Sequence, residues 1–210
     1  MFHKKLSGKT IAILAADGFE EAELLKPKQT LEEAGAVTKI ISINKNPIKS
    51  WTEKNWGTYI DVDQIVSEVK ADDFDGLLIP GGVMNPDQLR TNKHVIQFAK
   101  DFILAGKPVA AICHGPWVLI ETGLLDDCTV TSWPSLKTDL VNAGATWLDQ
   151  EVIVDLGIIT SRRPEDIPAF CSKFIEQLLD YIPTSAIKKT TITEVKADSQ
   201  FEHELLLPHV

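Results

Sequence analysis

The run from Pro108 to Ile120, Pro-Val-Ala-Ala-Ile-Cys-His-Gly-Pro-Trp-Val-Leu-Ile, constrains this chain more than any other segment. An apolar stretch leads straight into Cys113, and His114, Gly115 and Pro116 follow. Proline suits the first position of a helix, where its missing N–H costs nothing. Glycine lets another backbone, or a substrate, come close. The pattern predicts a buried strand, a tight turn and a helix start, with a thiol held at the turn. A thiol at a helix N-terminus feels the positive end of the dipole, which favours thiolate. The arrangement is that of a nucleophile elbow with Cys in place of Ser. The same residue also reads as a small buried hydrophobe closing a core strand.

The rest of the chain repeats the alternation. Short apolar strands are predicted over 10–16, 37–43, 76–79, 108–112 and 128–132, and helices over 20–34, 92–105, 134–143 and 165–181. Residues 48–62 read as a hairpin or irregular β excursion, and 151–155 with 158–161 as a hairpin around Leu156-Gly157. The 165–181 helix places Ile167, Phe170, Cys171, Phe174 and Leu178 on one face. Strands alternating with helices imply an α/β fold with a doubly wound, mainly parallel sheet. The predicted domain is 1–182. Residues 183–210 read as a C-terminal extension that either packs on its own domain or a neighbouring subunit, or stays partly disordered.

The chain has 210 residues, 44% of them hydrophobic, enough for one sizeable core and short for two. A net charge of -9 without any basic block argues against nucleic acid and anionic membrane surfaces as partners. Cys113, Cys128 and Cys171 show no metal-binding spacing, and an odd count argues against a disulfide framework. No metal site is expected. Without an apolar leader or a membrane-length run, the expected location is cytoplasmic.

In open α/β sheets, sites form outside the C-terminal ends of the strands. Three predicted strands end in polar or glycine-rich turns: 17–21, 80–87 and 113–115. If the topology brings these together, Glu20, Gly82 and Cys113 share a cleft.

Phe19-Glu20 with Glu23-Leu24, Pro80-Gly81-Gly82, Ala111 to Pro116 and Thr160-Ser161-Arg162 occur in an order that resembles the ThiJ/PfpI superfamily. Thr131 to Pro134 and Asn142 to Ala145 are similar to its PfpI-type intracellular protease branch. The resemblance runs from about residue 9 to about residue 182. It implies a flavodoxin-like fold of the class I glutamine amidotransferase type and a cysteine nucleophile, here Cys113. The family's neighbouring acid, on the first strand-to-helix turn, maps to Glu20. A protonated carboxyl there would donate to the thiolate, whereas an ionised one would oppose it. Glu20 also reads as a helix-start acid complementing the dipole.

In the PfpI-type branch the histidine after the cysteine pairs with an acid from the adjacent subunit. His114 matches that histidine. Asp87, after Pro86, is the candidate acid, although the family usually has glutamate after a turn one residue shorter. Asp87 also reads as a helix cap, and His114 as a turn residue bonded to backbone. Gly82 and His114 would supply N–H groups to an oxyanion. Arg162 reads either as a binder of anionic substrate groups or as half of a structural ion pair. Trp117 and Trp133 read as cleft walls or as core.

The expected activity is cysteine-dependent chemistry on small reactive carbonyls or glycated protein and peptide substrates, of the glutathione-independent glyoxalase or deglycase type. It needs no cofactor and serves stress protection. The alternatives are a PfpI-type intracellular cysteine peptidase and a redox-sensing or chaperone-like stress protein, in which Cys113 would be oxidised reversibly. The resemblance also implies a homo-oligomer, at least a dimer.

Overall fold

Strand β1 (Thr10–Leu14) sits deep in a sheet whose order follows from which segments can be buried on both faces. The computed structural model describes residues 5–181, so the expected 183–210 extension lies outside the described residues. After β1 come β2 (Phe19–Glu20), α1 (Glu21–Glu33), β3 (Val37–Ser42), β4 (Ile48–Thr52), β5 (Asn55–Ile60) and β6 (Gln64–Ile65). Then follow β7 (Gly76–Ile79), α2 (Met84–Arg90), α3 (Lys93–Leu104), β8 (Val109–Ile112) and α4 (Pro116–Ile120). The series closes with β9 (Thr129–Val130), α5 (Lys137–Asn142), β10 (Thr146–Trp147), β11 (Val152–Asp155), β12 (Ile158–Ser161) and α6 (Ile167–Asp180).

The main sheet has seven strands in the order β11-β12-β8-β7-β1-β3-β6. Every pairing is parallel except β11 with β12 at one edge. The interior strands β1, β7 and β8 are almost wholly apolar, as strands covered on both faces must be. Period-two alternation divides their side chains between two cores. Ala12, Leu14, Leu77, Ile79, Val109 and Ala111 face one, with Val95, Phe98, Ala99 and Phe102 of α3. Ile11, Ile13, Leu78, Ala110 and Ile112 face the other, with Leu24 and Leu31 of α1 and Phe170, Phe174 and Leu178 of α6. This is the doubly wound α/β architecture that the alternation predicts.

Local signals explain where the elements stop. Asn92 caps α3, its side chain accepting from the N–H groups of His94 and Val95 at 2.9 and 3.3 Å. Phe98 and Phe102, at helical spacing, stack edge-on at 5.1 Å, and Phe98 meets Phe74 at 5.9 Å. Burying each of these rings contributes about 2–3 kcal/mol. The 48–62 excursion is the β4–β5 hairpin, which pairs with β2 in a separate three-stranded sheet. Among the described residues, no helix is long and apolar enough to cross a membrane.

Candidate active site

Cys113 is the residue at which β8 breaks, and its backbone is held in the left-handed region at φ +61°. That conformation is costly for a residue with a side chain and persists only where surrounding bonds fix it. They do so here. The Cys113 N–H donates to the Ser161 carbonyl at the end of β12, and its own carbonyl accepts from Trp133 N–H, both at 3.0 Å. Gly115 N–H closes the turn onto Ile112 at 2.8 Å. A Cβ on Gly115 would stand 2.6 Å from the Ile79 carbonyl, so only glycine lets the elbow seat against β7.

The Pro80-Gly81-Gly82 turn closes over the thiol. Asn85, fully buried on α2, holds it in place: its side-chain amide donates to the carbonyls of Pro80 and Gly81, at 2.8 and 3.1 Å. Its Oδ1 accepts from Ala16 N–H at 2.7 Å, which ties the turn to the end of β1. Gly82 adopts φ +79°, and a Cβ there would lie 2.3 Å from the Gly18 carbonyl. This conformation aims the Gly82 N–H at Cys113, where it and the His114 N–H both bond the sulfur. The two N–H groups expected to serve an oxyanion thus both meet the Cys113 sulfur. Gly82→Ala is expected to combine backbone strain with a clash against backbone. It should lower Tm and cut any Cys113-dependent turnover by at least the roughly 10²–10³-fold that losing one such donor costs, as thermal melts and kinetics would report.

The three acids at the start of α1 do different things. Glu21 points outward and anchors the hairpin, accepting from the Ser50 hydroxyl and from the Thr58 N–H and hydroxyl. Glu20, the acid expected beside the thiol, lines the cavity wall half-buried, and burial raises its pKa. The carboxyl that pairs with the Cys113 thiol is Glu23, which is fully buried. This corrects the assignment to Glu20. Glu23 shares the inward face of α1 with Leu24, Pro27 and Leu31, so its side chain runs under the elbow, while Glu20 precedes the helix at its rim.

One Glu23 oxygen accepts from Gly81 N–H at 2.9 Å. The other, Oε1, is buried without a hydrogen-bond partner. Burial pushes the Glu23 carboxyl up to about 8, and the charges of Glu20 and Glu165 add to the rise against the pull of the Gly81 N–H. Burial also pushes the Cys113 thiol up, with the Glu23 charge second, against the two N–H groups. Burial and the Glu23 charge thus work against the thiolate that a helix dipole would favour. α4 is only five residues long, and desolvation beside a carboxyl outweighs it. Both shifts favour the protonated forms, and a negative charge arriving there would meet the N–H groups of Gly81, Gly82 and His114.

His114 continues the cluster. Its Nδ1 lies 3.3 Å from the Cys113 sulfur and its Nε2 3.3 Å from the Ser135 hydroxyl. Burial lowers its pKa, which favours the neutral ring. Trp133 stacks over the imidazole at 6.2 Å, and Trp117 meets it edge-on at 5.1 Å. Asp87 is exposed in the first turn of α2 and does not line the cavity. Within this chain it is not brought to His114.

The cavity above the thiol has a volume of about 530 Å³. Its walls include Trp51, Trp133, Glu20, Glu165 and Arg163. Arg162, read either as an anion binder or as half of a structural ion pair, is held in ion pairs with Asp166 and Asp149, at 2.9 and 2.7 Å. The cation facing the cavity is its neighbour Arg163. The residues missed in the sequence are Glu23, Asn85, Ser135 and Arg163. Of these, Glu23 carried a usable signal, a carboxyl at helical spacing on an apolar stripe. A larger surface groove of about 780 Å³, lined from α1 and α6, contains none of these groups. Among the described residues, no cluster of His, Cys, Asp and Glu is arranged to hold a metal ion.

The family model described as the DJ-1/PfpI family matches residues 9–177. YraA of Bacillus subtilis, named as a cysteine protease, is 46% identical over 162 residues, which is 77% of this chain and 94% of that protein. The deglycase PfpI of Pyrococcus furiosus is 39% identical over 168 residues, 80% of this chain and 98% of that one. The crystal structure of Drosophila melanogaster DJ-1beta superposes with a TM-score of 0.74 at 26% identity, covering 89% of this chain and 97% of that one. The fold is the class I glutamine amidotransferase-like α/β fold of the DJ-1 structures.

Proposed function

Because the chain belongs to the DJ-1/PfpI family, we propose that it is a cysteine-dependent enzyme that removes reactive carbonyls, free or as early adducts on amines and thiols. The observation that carries this reading is the buried pair of Cys113 and Glu23 under converging N–H groups, in a cavity sized for a small molecule or a single side chain. The relatives named deglycase support it.

The reaction follows from the groups in reach. The Cys113 sulfur adds to the aldehyde carbon of an α-oxoaldehyde such as methylglyoxal, and the thiol proton passes to the carbonyl oxygen, giving a hemithioacetal. With an amine adduct, sulfur replaces nitrogen at the same carbon and the free amine leaves. The Gly82 and His114 N–H groups stabilise the oxygen as it becomes negative. A carboxyl poised near neutrality can both take and give a proton. Glu23 takes the proton from the carbon bearing sulfur and returns it to the neighbouring carbon, while the hydroxyl proton on the first carbon passes to the oxygen of the second. The product is a 2-hydroxyacyl thioester. Water hydrolyses it to a 2-hydroxy acid and regenerates the thiol. Oxidation and reduction cancel within the substrate, so no cofactor enters. Clearing carbonyls in this way fits a role in stress protection.

A peptidase would instead need His114 as a persistent base oriented by a carboxylate. Within one chain Nε2 meets a serine hydroxyl, so the peptidase requires a carboxylate from a second subunit, whereas the carbonyl chemistry uses Cys113 and Glu23 of a single chain. The test is to follow methylglyoxal by NMR without glutathione, alongside a panel of unstructured peptides. Lactate is expected to accumulate and the peptides to stay intact. Peptide cleavage without lactate would replace this reading with the peptidase.

A further inference from the structure

We propose that the mouth of the cavity above Cys113 is a charge filter, in which the carboxylates of Glu20, Glu53 and Glu165 admit neutral carbonyls and turn away anionic ones. The three come from separate segments. Glu20 ends β2, Glu53 sits in the turn of the β4–β5 hairpin, and Glu165 lies in the 3-10 turn Pro164–Asp166. All three line the cavity, Glu53 and Glu165 as exposed residues and Glu20 half-buried. Lys54, the other residue of the hairpin turn, does not line it. Arg163 is the one arginine or lysine among the described lining residues. Its backbone is extended, at φ -164° and ψ 171°, and side chains along extended backbone alternate in direction. Arg162 turns to Asp149 and Asp166, which neutralise it, and Arg163 turns to the cavity. Three carboxylates against one guanidinium leave the mouth with an excess of negative charge.

That excess reaches the reacting groups. The charges of Glu20 and Glu165 both oppose ionisation of Glu23, a lining residue whose Oε1 is buried without a hydrogen-bond partner. An anion approaching Cys113 meets the same charges, whereas a neutral α-oxoaldehyde does not. Once such an aldehyde is inside, the Gly82 and His114 N–H groups serve the oxygen at bonding distance, where they outweigh carboxylates further off. The reaction gives the filter two uses. It takes in a neutral aldehyde and releases a carboxylate, so a mouth that repels anions favours loss of product and hinders its return. It also separates α-oxoaldehydes from 2-oxo acids, in which a carboxylate replaces the aldehyde beside the same ketone. A thiol added to that ketone gives a hemithioketal with no hydrogen on the carbon bearing sulfur, so Glu23 has no proton to take and the site is occupied without turnover. The inference takes its substrates from the proposed function, but the field at Cys113 rests on the lining residues alone.

The test is alkylation of Cys113, located by peptide mapping, with neutral iodoacetamide and with anionic iodoacetate. The readout is the ratio of the two rate constants relative to the same ratio for 2-mercaptoethanol. Both reagents attack one thiol, so changes in its ionisation cancel. The wild type is expected to prefer iodoacetamide at about 10 mM salt and to lose much of that preference at about 1 M, as the screening length falls from about 30 Å to about 3 Å. Glu53→Gln and Glu165→Gln should each reduce the preference by about threefold, the scale of one charge acting over several ångströms in water. Arg163→Gln should increase it by as much. Glu176→Gln removes an equal charge roughly 14 Å beyond the start of α6 and should leave it unchanged. With methylglyoxal and 4,5-dioxopentanoate, an oxoaldehyde that carries a carboxylate, the ratio of kcat/KM values is expected to follow the same order. A wild type without preference overturns the proposal. A preference for iodoacetate that Arg163→Gln abolishes also overturns it and makes the cavity an anion site. A preference reduced as much by Glu176→Gln as by the mouth variants overturns it too, since it would belong to the charge of the whole chain. The expected alkylation ratios without turnover of either aldehyde would keep the filter and remove the proposed substrate.

Discussion

Glu23→Gln is expected to lower kcat for methylglyoxal conversion by about 10²–10⁴-fold while making the folded protein more stable at neutral pH. Both effects come from one buried carboxyl. Gln keeps an acceptor for the Gly81 N–H and occupies the same volume, but it neither takes nor gives a proton. The gain in stability follows from the sign of the shift. The folded-state pKa of about 8 lies above the ordinary 4.5. The folded protein therefore keeps a proton that the unfolded chain loses, and stability falls as pH rises from about 4.5 to about 8. At pH 7 the wild-type cost is about 3 kcal/mol, and Gln does not incur it. Urea denaturation between pH 5 and 8 should show a falling wild-type curve and a flatter Glu23→Gln curve. Glu20→Gln, a change at the rim, should lower kcat by less than about tenfold. Equal losses at the two positions would return the proton-transfer role to the rim acid.

Cys113→Ala is expected to abolish turnover altogether while leaving the fold intact. The elbow's own backbone bonds, to Ser161 and from Trp133, do not involve the thiol. Removing the sulfur takes away the atom that forms the covalent bond, and none of the surrounding groups can replace it. The φ of +61° adds a second expectation. A left-handed residue with a Cβ costs about 1–2 kcal/mol, which glycine escapes. Cys113→Gly should therefore melt no lower than Cys113→Ala, although glycine elsewhere in a strand end costs stability. A large drop for Cys113→Gly would mean that the elbow is not strained.

Much of this was legible in the chain itself. The apolar runs that become β1, β7 and β8 could only be doubly covered strands, and Asn92 marked the start of α3. The elbow glycine pointed to close backbone approach, and the Cβ distance bears this out at Gly115; the same close approach holds at Gly82. The site acid was misassigned because Glu20 and Glu23 are both carboxyls near one helix start, and charge alone does not rank them. The helical period does: four and eight residues after Glu23 come Pro27 and Leu31, both buried. Arg162 was separable from Arg163 by its neighbours, since Asp166, four residues later, offers it an ion pair. Ser135 and Asn85 carried no such signal. Their roles arise from segments brought together only by the tertiary fold, as do the two-residue strands β2, β6 and β10, which are too short to show any period.

The most direct test is intact-protein mass spectrometry of reduced Glu23→Gln protein after brief exposure to methylglyoxal, with peptide mapping. If Cys113 adds to the carbonyl and Glu23 carries the next proton, the variant should accumulate a mass increase of one methylglyoxal, located at Cys113, and Glu23→Gln combined with Cys113→Ala should not. An unmodified Cys113, with methylglyoxal spread instead over surface lysines and arginines, would contradict the account.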